Sequence, residues 1–166
     1  MKKWLLFFSL LASFVAHAFE PAQVEALDKR LNTLKQQTLA GNSSITVEMM
    51  PPAFFQSMSA QFNIPAEQLK QQLLQQATQY TAQVQLQDYQ YDLTHLKLTR
   101  TETNRIYGFV PTELMLRSNG QNAQLKGHLF AVQENGEWYF LNWNPQYTET
   151  ILKMYPDIHL LSPPTP

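Results

Sequence analysis

Apolar residues in the first half of the chain recur every three or four positions, which is the spacing of one face of an α-helix. The first such stretch begins at Pro21, where a missing backbone N–H breaks no helical hydrogen bond, and stops before Gly41-Asn42. The positions that repeat on its inner face are Val24, Leu27, Leu31, Leu34 and Thr38. The pattern predicts an amphipathic helix over residues 21–39.

Two further helical patterns follow, and proline bounds each of them. Pro51-Pro52 opens a pattern about ten residues long, which Asn63-Ile64-Pro65 ends. The apolar side of this second pattern consists of Phe54, Phe55, Met58 and Phe62. In the third pattern, after Pro65, the apolar stripe is Leu69, Leu73, Ala77 and Tyr80, and the opposite face carries Gln71, Gln72, Gln75 and Gln79. We expect two helices here, the later one with a glutamine-coated face toward water.

After Thr81 the hydrophobic period changes from 3.6 to 2, the period of a β-strand. Val84 and Leu86 alternate with glutamines, and one or two strands are predicted between Ala82 and Thr103. The helical half of the chain therefore gives way to a sheet.

Two Asn-Gly pairs then mark β-hairpins, for which this dipeptide is the strongest short signal. The pairs are Asn119-Gly120 and Asn135-Gly136. The strands that they join into an antiparallel meander are predicted at residues 105–117, 125–133 and 137–143. Pro111, in the first of these strands, has no N–H for the ladder, so we expect a bulge or bend there.

A final helix is predicted from about Pro145 to Tyr155, with Tyr147, Ile151 and Met154 packed back on the sheet. Helices followed by a meander indicate an α+β fold: N-terminal helices packed on a curved antiparallel β-meander, with a short C-terminal helix. Residues 19–158 are predicted to form this single domain. Residues 159–166 are predicted to be a Pro-rich C-terminal tail.

The first eighteen residues have the pattern of a secretory signal peptide. Lys2 and Lys3 precede an apolar run from Trp4 to Val15, and Ala16-His17-Ala18 is a small-x-small cleavage site. The run is shorter than the roughly 20 residues that a spanning helix needs, which favours cleavage after Ala18 over a membrane anchor. We therefore expect a periplasmic or secreted protein with no membrane span after cleavage.

Composition narrows the chemistry of the mature chain. There is no cysteine, so disulfides and thiol catalysis are excluded, and so is a lipid attachment site at the cleavage point. Loss of Lys2 and Lys3 changes the net charge from −1 to −3. A net negative chain is a poor partner for nucleic acid, whose binding proteins present basic surfaces.

The order of elements resembles the nuclear transport factor 2-like superfamily, a cone-shaped, cystatin-like fold shared with ketosteroid isomerase. The stretch TLAGNSSITVEMMPPAFFQSM is similar to the first helix, the connection and the second helix of such domains. IYGFVPTELMLRSNG followed by LKGHLFAVQENGEWYFLNW is similar to their paired long strands. The resemblance covers about residues 21–156 and suggests an uncharacterised exported bacterial branch. It implies a cavity between the concave sheet face and the helices, whose open end takes a small ligand, but it implies no reaction.

No catalytic or metal signature is found in the sequence. The isomerase branch needs a carboxylate base and a hydrogen-bonding acid in an apolar cavity. Asp88 and Asp92 are instead expected to be solvated carboxylates at a strand edge. The mature histidines, His95, His128 and His159, are far apart and have no carboxylate at metal-ligand spacing. No cofactor is predicted, and neither a nucleophile elbow nor a phosphate-binding loop is present.

The last strand is apolar on both faces, as in a strand that is covered on both sides. Its two alternating sets are Trp138, Phe140 and Asn142, and Tyr139, Leu141 and Trp143. One face is expected to be the helix-facing core. The other face needs a cover, which is the final helix, a second subunit in a homodimer through the sheet face, or a ligand. Core packing of the aromatics is favoured over a partner surface or an exposed ligand platform.

The residues predicted to matter for binding are Tyr107, Thr112, His128, Trp138 and Tyr139, because a bend at Pro111 re-aims side chains next to a site. The predicted function is that of an exported, non-catalytic domain that binds a small apolar ligand or peptide in a cavity or on its sheet face. One alternative is a protein-binding accessory, inhibitor or immunity-type factor that acts on an envelope protein. A second alternative is an isomerase or hydrolase of the same fold.

Overall fold

The computed structural model describes residues 21–159 and Leu161. The predicted signal peptide lies outside these residues, and so does most of the predicted tail. The helices are α1 (Pro21–Leu39), α2 (Ser44–Glu48), α3 (Pro52–Phe62), α4 (Ala66–Gln83) and, after a 3₁₀ turn at Pro145–Tyr147, α5 (Thr148–Met154). The strands are β1 (Gln85–Tyr91), β2 (Leu98–Arg100), β3 (Ile106–Ser118), β4 (Gln121–Glu134) and β5 (Glu137–Asn142). The fold is α+β, as predicted.

The helices follow the predicted pattern, with two differences. α1 buries Leu27, Leu31 and Leu34, and Asn63 ends α3 in the left-handed conformation at φ 53°. The short helix α2 was not predicted, because five residues are too few to show a helical period. Neither α3 nor α4 contains a buried residue, so their predicted apolar stripes are only partly covered.

The sheet is antiparallel in the order β1-β3-β4-β5, and β2 also pairs with β3. The predicted bulge at Pro111 is wrong for the β3–β4 ladder, whose register runs without a shift from Tyr107↔Val132 to Ser118↔Gln121. The carbonyl of Pro111 accepts from the N–H of Asp92 at 3.1 Å. In a strand, the nitrogen and the carbonyl of one residue point to the same side, so the Pro111 nitrogen also points to the edge of β3 that pairs with β1 and β2. On that edge, Pro111 lies between the part of β3 that pairs with β1 and the part that pairs with β2. No ladder bond is lost there, and the irregularity of the sheet lies instead in β1.

Buried side chains form one cluster on each face of the sheet. The helix-side cluster consists of Leu27, Leu31, Leu34, Ile45, Met49, Tyr89, Ile106, Val110, Leu129, Ala131, Trp138 and Phe140. The C-terminal cluster consists of Tyr107, Phe109, Phe130, Val132, Leu141, Ile151, Tyr155, Ile158 and Leu161. The two faces of β5 contribute to different clusters, as its alternation predicts.

The C-terminal cluster is covered by α5 and by the residues that follow it. Ile151 and Tyr155 are each 1% exposed, and Leu161, inside the predicted tail, is buried as well. Tyr147 does not pack on the sheet as predicted but is 52% exposed, because the residues before Thr148 form a 3₁₀ turn and not a continuous helix. The cover of the second sheet face therefore comes from this chain itself.

The segment after α5 is bound to the loop between β2 and β3 by an ion pair between Asp157 and Arg105, here called the clip. The Nε of Arg105 lies 3.1 Å from Asp157 Oδ2, and Thr101 also donates to that carboxylate, at 2.7 Å. The guanidinium of Arg105 stands 4.6 Å from the ring centroid of Tyr155, a cation–π contact. The Tyr155 hydroxyl donates to Glu134 on β4. Charge, ring and hydroxyl contacts thus all hold the segment after α5 in place.

Candidate functional site

An apolar cavity lies on the helix side of the sheet. It encloses about 890 Å³. Its walls come from the C-terminal end of α1, from α2 and the residues after it, from α4, and from β1, β3, β4 and β5. The apolar residues that line it include Leu34, Leu39, Val47, Met49, Leu73, Leu86, Leu114, Leu116, Leu125, Leu129 and Phe140.

The cavity exists because α4 stands away from the sheet. This helix packs against α2 and α3, and it meets the sheet where it runs into β1. Its side chains over the cavity, such as Leu73 and Ala77, are only half-buried. Tyr80 on α4 is 59% exposed and Leu125 on β4 is 49% exposed, so the cavity opens to solvent along this rim.

The lining carries no charge. Among the described residues that form it, none is Asp, Glu, Lys, Arg or His. Three threonines in the wall direct their hydroxyls to backbone carbonyls of their own segments: Thr38 to Leu34 at 2.6 Å, Thr46 to Ser43 at 2.8 Å and Thr81 to Ala77 at 2.8 Å. Over most of its area the wall is therefore apolar, or its hydroxyl groups already donate to backbone carbonyls of the protein.

Tyr89 is the buried polar side chain of this wall. It is 6% exposed, and its hydroxyl has no hydrogen-bond partner among the described residues. Burial, and to a lesser extent the neighbouring Tyr91, raise the pKa of Tyr89 to about 12, so the phenol is neutral at physiological pH. Tyr91, by contrast, donates its hydroxyl proton to Asp28 on α1 at 2.8 Å.

The five residues predicted for binding are not brought together. Trp138 belongs to the helix-side cluster at 2% exposure, whereas Tyr107 and Tyr139 pack in the C-terminal cluster. By strand alternation and register, Thr112 faces the helix side and His128 the C-terminal side. None of the five lines the cavity.

The wall of the cavity was not predicted from the sequence, because ordinary core residues form it. Tyr89 and Leu114 face each other across β1 and β3, and both strands show apolar residues that are equally typical of core. The partial burial of Leu73 and Ala77 on α4 distinguishes this wall from a filled core, and it is not visible in the sequence.

Other candidate chemistry is not assembled in the described residues. No group of three His, Cys, Asp or Glu side chains there is placed to hold a metal ion. Asp88 and Asp92 are exposed; hydrogen bonds from Gln90 and Thr94, respectively, are the largest causes that lower the pKa of each carboxyl. Within the same residues, no helix has the length and apolar character to cross a membrane.

Comparison with known proteins adds no relative. No protein-family model, no curated protein and no solved structure matches the chain.

Proposed function

We propose that this protein is a non-catalytic binder of small apolar molecules, which it holds in the cavity between α4 and the sheet. The observation that carries the proposal is a cavity of about 890 Å³ with an uncharged, mainly apolar lining. Ligand pockets commonly measure about 300–1,000 Å³ and combine an apolar wall with a few polar groups. A molecule with roughly the size of a medium-chain lipid fits this description.

Binding is favoured over catalysis by the same lining. An isomerase of the type predicted as an alternative needs a carboxylate base inside its cavity. The described walls supply neutral hydroxyls and amides, and the acidic residues of β1 and the loop after it, Asp88 and Asp92, lie outside them. A hydrolase would need a nucleophile held by a base, and no histidine among the described residues reaches the cavity wall.

Export is part of the proposal. The signal peptide predicted at residues 1–18 supports export to the periplasm or outside the cell, where apolar molecules need a carrier to cross water. The resemblance to the nuclear transport factor 2-like fold supports the same reading, since a cavity between helices and a curved sheet is what that resemblance implies. In this account the protein sequesters or carries its ligand and does not transform it.

A fluorescence titration with N-phenyl-1-naphthylamine, a neutral apolar dye, tests the proposal. We expect saturable binding by the mature chain at micromolar dye. Ala77→Trp, which adds bulk on the cavity side of α4, should abolish it. Gln72→Trp places the same indole on an exposed position of the same helix and outside the cavity wall, so it should bind dye like wild type. Equal dye binding by all three proteins, or none by wild type, would contradict the proposal.

A further inference from the structure

We propose that the ligand is an uncharged lipid with a hydrogen-bond-accepting oxygen, such as a long-chain alcohol, ketone or ester, and that the Tyr89 hydroxyl binds this oxygen. The inference rests on the proposed function and adds to it a ligand class and the residue that selects it. The ligand class follows from the position and the hydrogen bonds of the polar side chains in the wall.

The wall offers no partner for a charged head group inside the cavity. An ionised carboxylate or ammonium taken out of water needs an opposite charge or several hydrogen bonds to offset its desolvation. No described wall residue is charged, and the hydroxyls of Thr38, Thr46 and Thr81 already donate to backbone carbonyls. A fatty-acid anion would therefore enter this cavity without a partner for its charge.

Tyr89 is the polar group that remains inside. The other uncommitted polar wall residues, among them Gln76, Gln85 and Asn142, are exposed, and Ser43 is only half-buried. Among the described residues, the indole nitrogen of Trp138 is a fully buried polar atom without a hydrogen-bond partner. The Tyr89 hydroxyl also lacks a partner, but it is not fully buried. Because it lacks a partner among the described residues and keeps some accessible surface, the Tyr89 hydroxyl is able to donate to a ligand oxygen in the cavity that this residue lines.

The surroundings of Tyr89 hold it in this position. It lies on β1 opposite Leu114 of β3, and it packs in the helix-side cluster between the sheet and α1. Because its phenol stays protonated at physiological pH, it offers a donor to a carbonyl, ether or hydroxyl oxygen. One such bond contributes modestly to affinity, and the apolar chain supplies the rest.

Competition against the dye in wild type, Tyr89→Phe and Tyr91→Phe tests the inference. The competitors are 1-dodecanol, dodecane and laurate, the last at pH 8, where it is an anion. In wild type we expect dodecanol to displace the dye and laurate to be more than about tenfold weaker. In Tyr89→Phe the ratio of dodecanol affinity to dodecane affinity should fall about three- to tenfold. Tyr91→Phe, altered two residues away at a side chain outside the cavity wall, should leave this ratio unchanged.

The outcomes separate the two proposals. If wild type does not bind the dye, the proposed function fails and the inference falls with it. If the dye binds but Tyr89→Phe keeps the wild-type ratio, or laurate competes as well as dodecanol, the cavity function stands and the ligand class is wrong. Melting curves of Tyr89→Phe should coincide with those of wild type within a few degrees, which keeps a loss of fold from imitating the result.

Discussion

The backbone N–H of Phe140 donates to the carbonyl oxygen of Met49 at 2.8 Å, and both side chains line the cavity. This bond ties the segment between α2 and α3 to the outer edge of β5. One side of the cavity is thus fixed to the sheet. The opposite side is α4, which contacts α2, α3 and, at its junction, β1, and therefore has the weaker attachment to the sheet.

We predict that α3 and α4 open more readily than the rest of the domain. Neither helix buries a residue, whereas α1 buries three leucines, and local opening costs least where buried apolar contact is scarce. Hydrogen–deuterium exchange followed by mass spectrometry should show faster exchange in α3 and α4 than in α1 and β3. Dodecanol should slow exchange in α4 specifically. Equal protection of α1 and α4 without ligand would contradict this.

Ligand binding should stabilise the fold by mass action. An apolar ligand at about one hundred times its dissociation constant adds about 2.7 kcal/mol to the free energy of unfolding. For a domain of this size we expect the melting temperature to rise by several degrees with dodecanol. The rise should be absent in Ala77→Trp and present in Gln72→Trp. A rise of the same size in Ala77→Trp would place the ligand elsewhere.

Trp138 should be a stability residue and not a binding residue. It is 2% exposed in the helix-side cluster, so Trp138→Ala should lower the free energy of unfolding by about 3–5 kcal/mol. Tyr147→Ala is the control, since this side chain is 52% exposed and its loss should change stability by less than about 0.5 kcal/mol. Urea unfolding measures both. A Trp138→Ala protein with wild-type stability would overturn the core assignment.

The clip at Asp157 should make stability depend on pH in the acid range. Burial acts to raise the pKa of Asp157, but hydrogen bonds from Thr103, Thr101 and Arg105 and the charge of Arg105 outweigh it and lower the pKa from 3.8 to about 2. A carboxyl whose folded pKa is depressed stabilises the fold above its unfolded pKa, and this contribution is lost as pH falls from about 4 to about 2.

Asp157→Asn should therefore be less stable than wild type at pH 7, by an amount of order 1 kcal/mol because solvent screens the pair. The difference should shrink as pH falls toward about 2. Urea unfolding at several pH values measures it. Glu149→Gln removes an exposed carboxylate paired with Lys153 and should show no comparable pH-dependent loss. A constant deficit of Asp157→Asn at every pH would mean that shape, and not charge, explains its effect.

The elements predicted from the sequence are those whose signal is local. α1 has a complete 3.6-residue repeat, and the Asn-Gly turns at Asn119 and Asn135 adopt φ of 51° and 50°, the left-handed values that their hairpins need. The alternation along β5 correctly predicts two covered faces. In contrast, the regular pairing at Pro111 depends on where β1 ends and β2 begins, which is a property of the assembled sheet.

The resemblance implied a cavity, but residue types did not indicate which residues form its wall. Its wall consists of leucines that would be core residues if α4 lay closer to the sheet, and Tyr89 stands out through a hydroxyl that lacks a partner. Both facts are relations between elements distant in sequence. Tyr107, Trp138 and Tyr139, the aromatic residues selected from β3 and β5, instead pack on the two faces of the sheet because the hydrophobic effect favours their burial.

Native mass spectrometry of the chain purified from a bacterial periplasm tests the central claim most directly. We predict a reproducible, uncharged, chloroform-extractable adduct of a few hundred daltons on the wild-type protein and on Gln72→Trp, and its absence from Ala77→Trp. A wild-type protein that carries no adduct and acquires none when incubated with dodecanol would contradict the account.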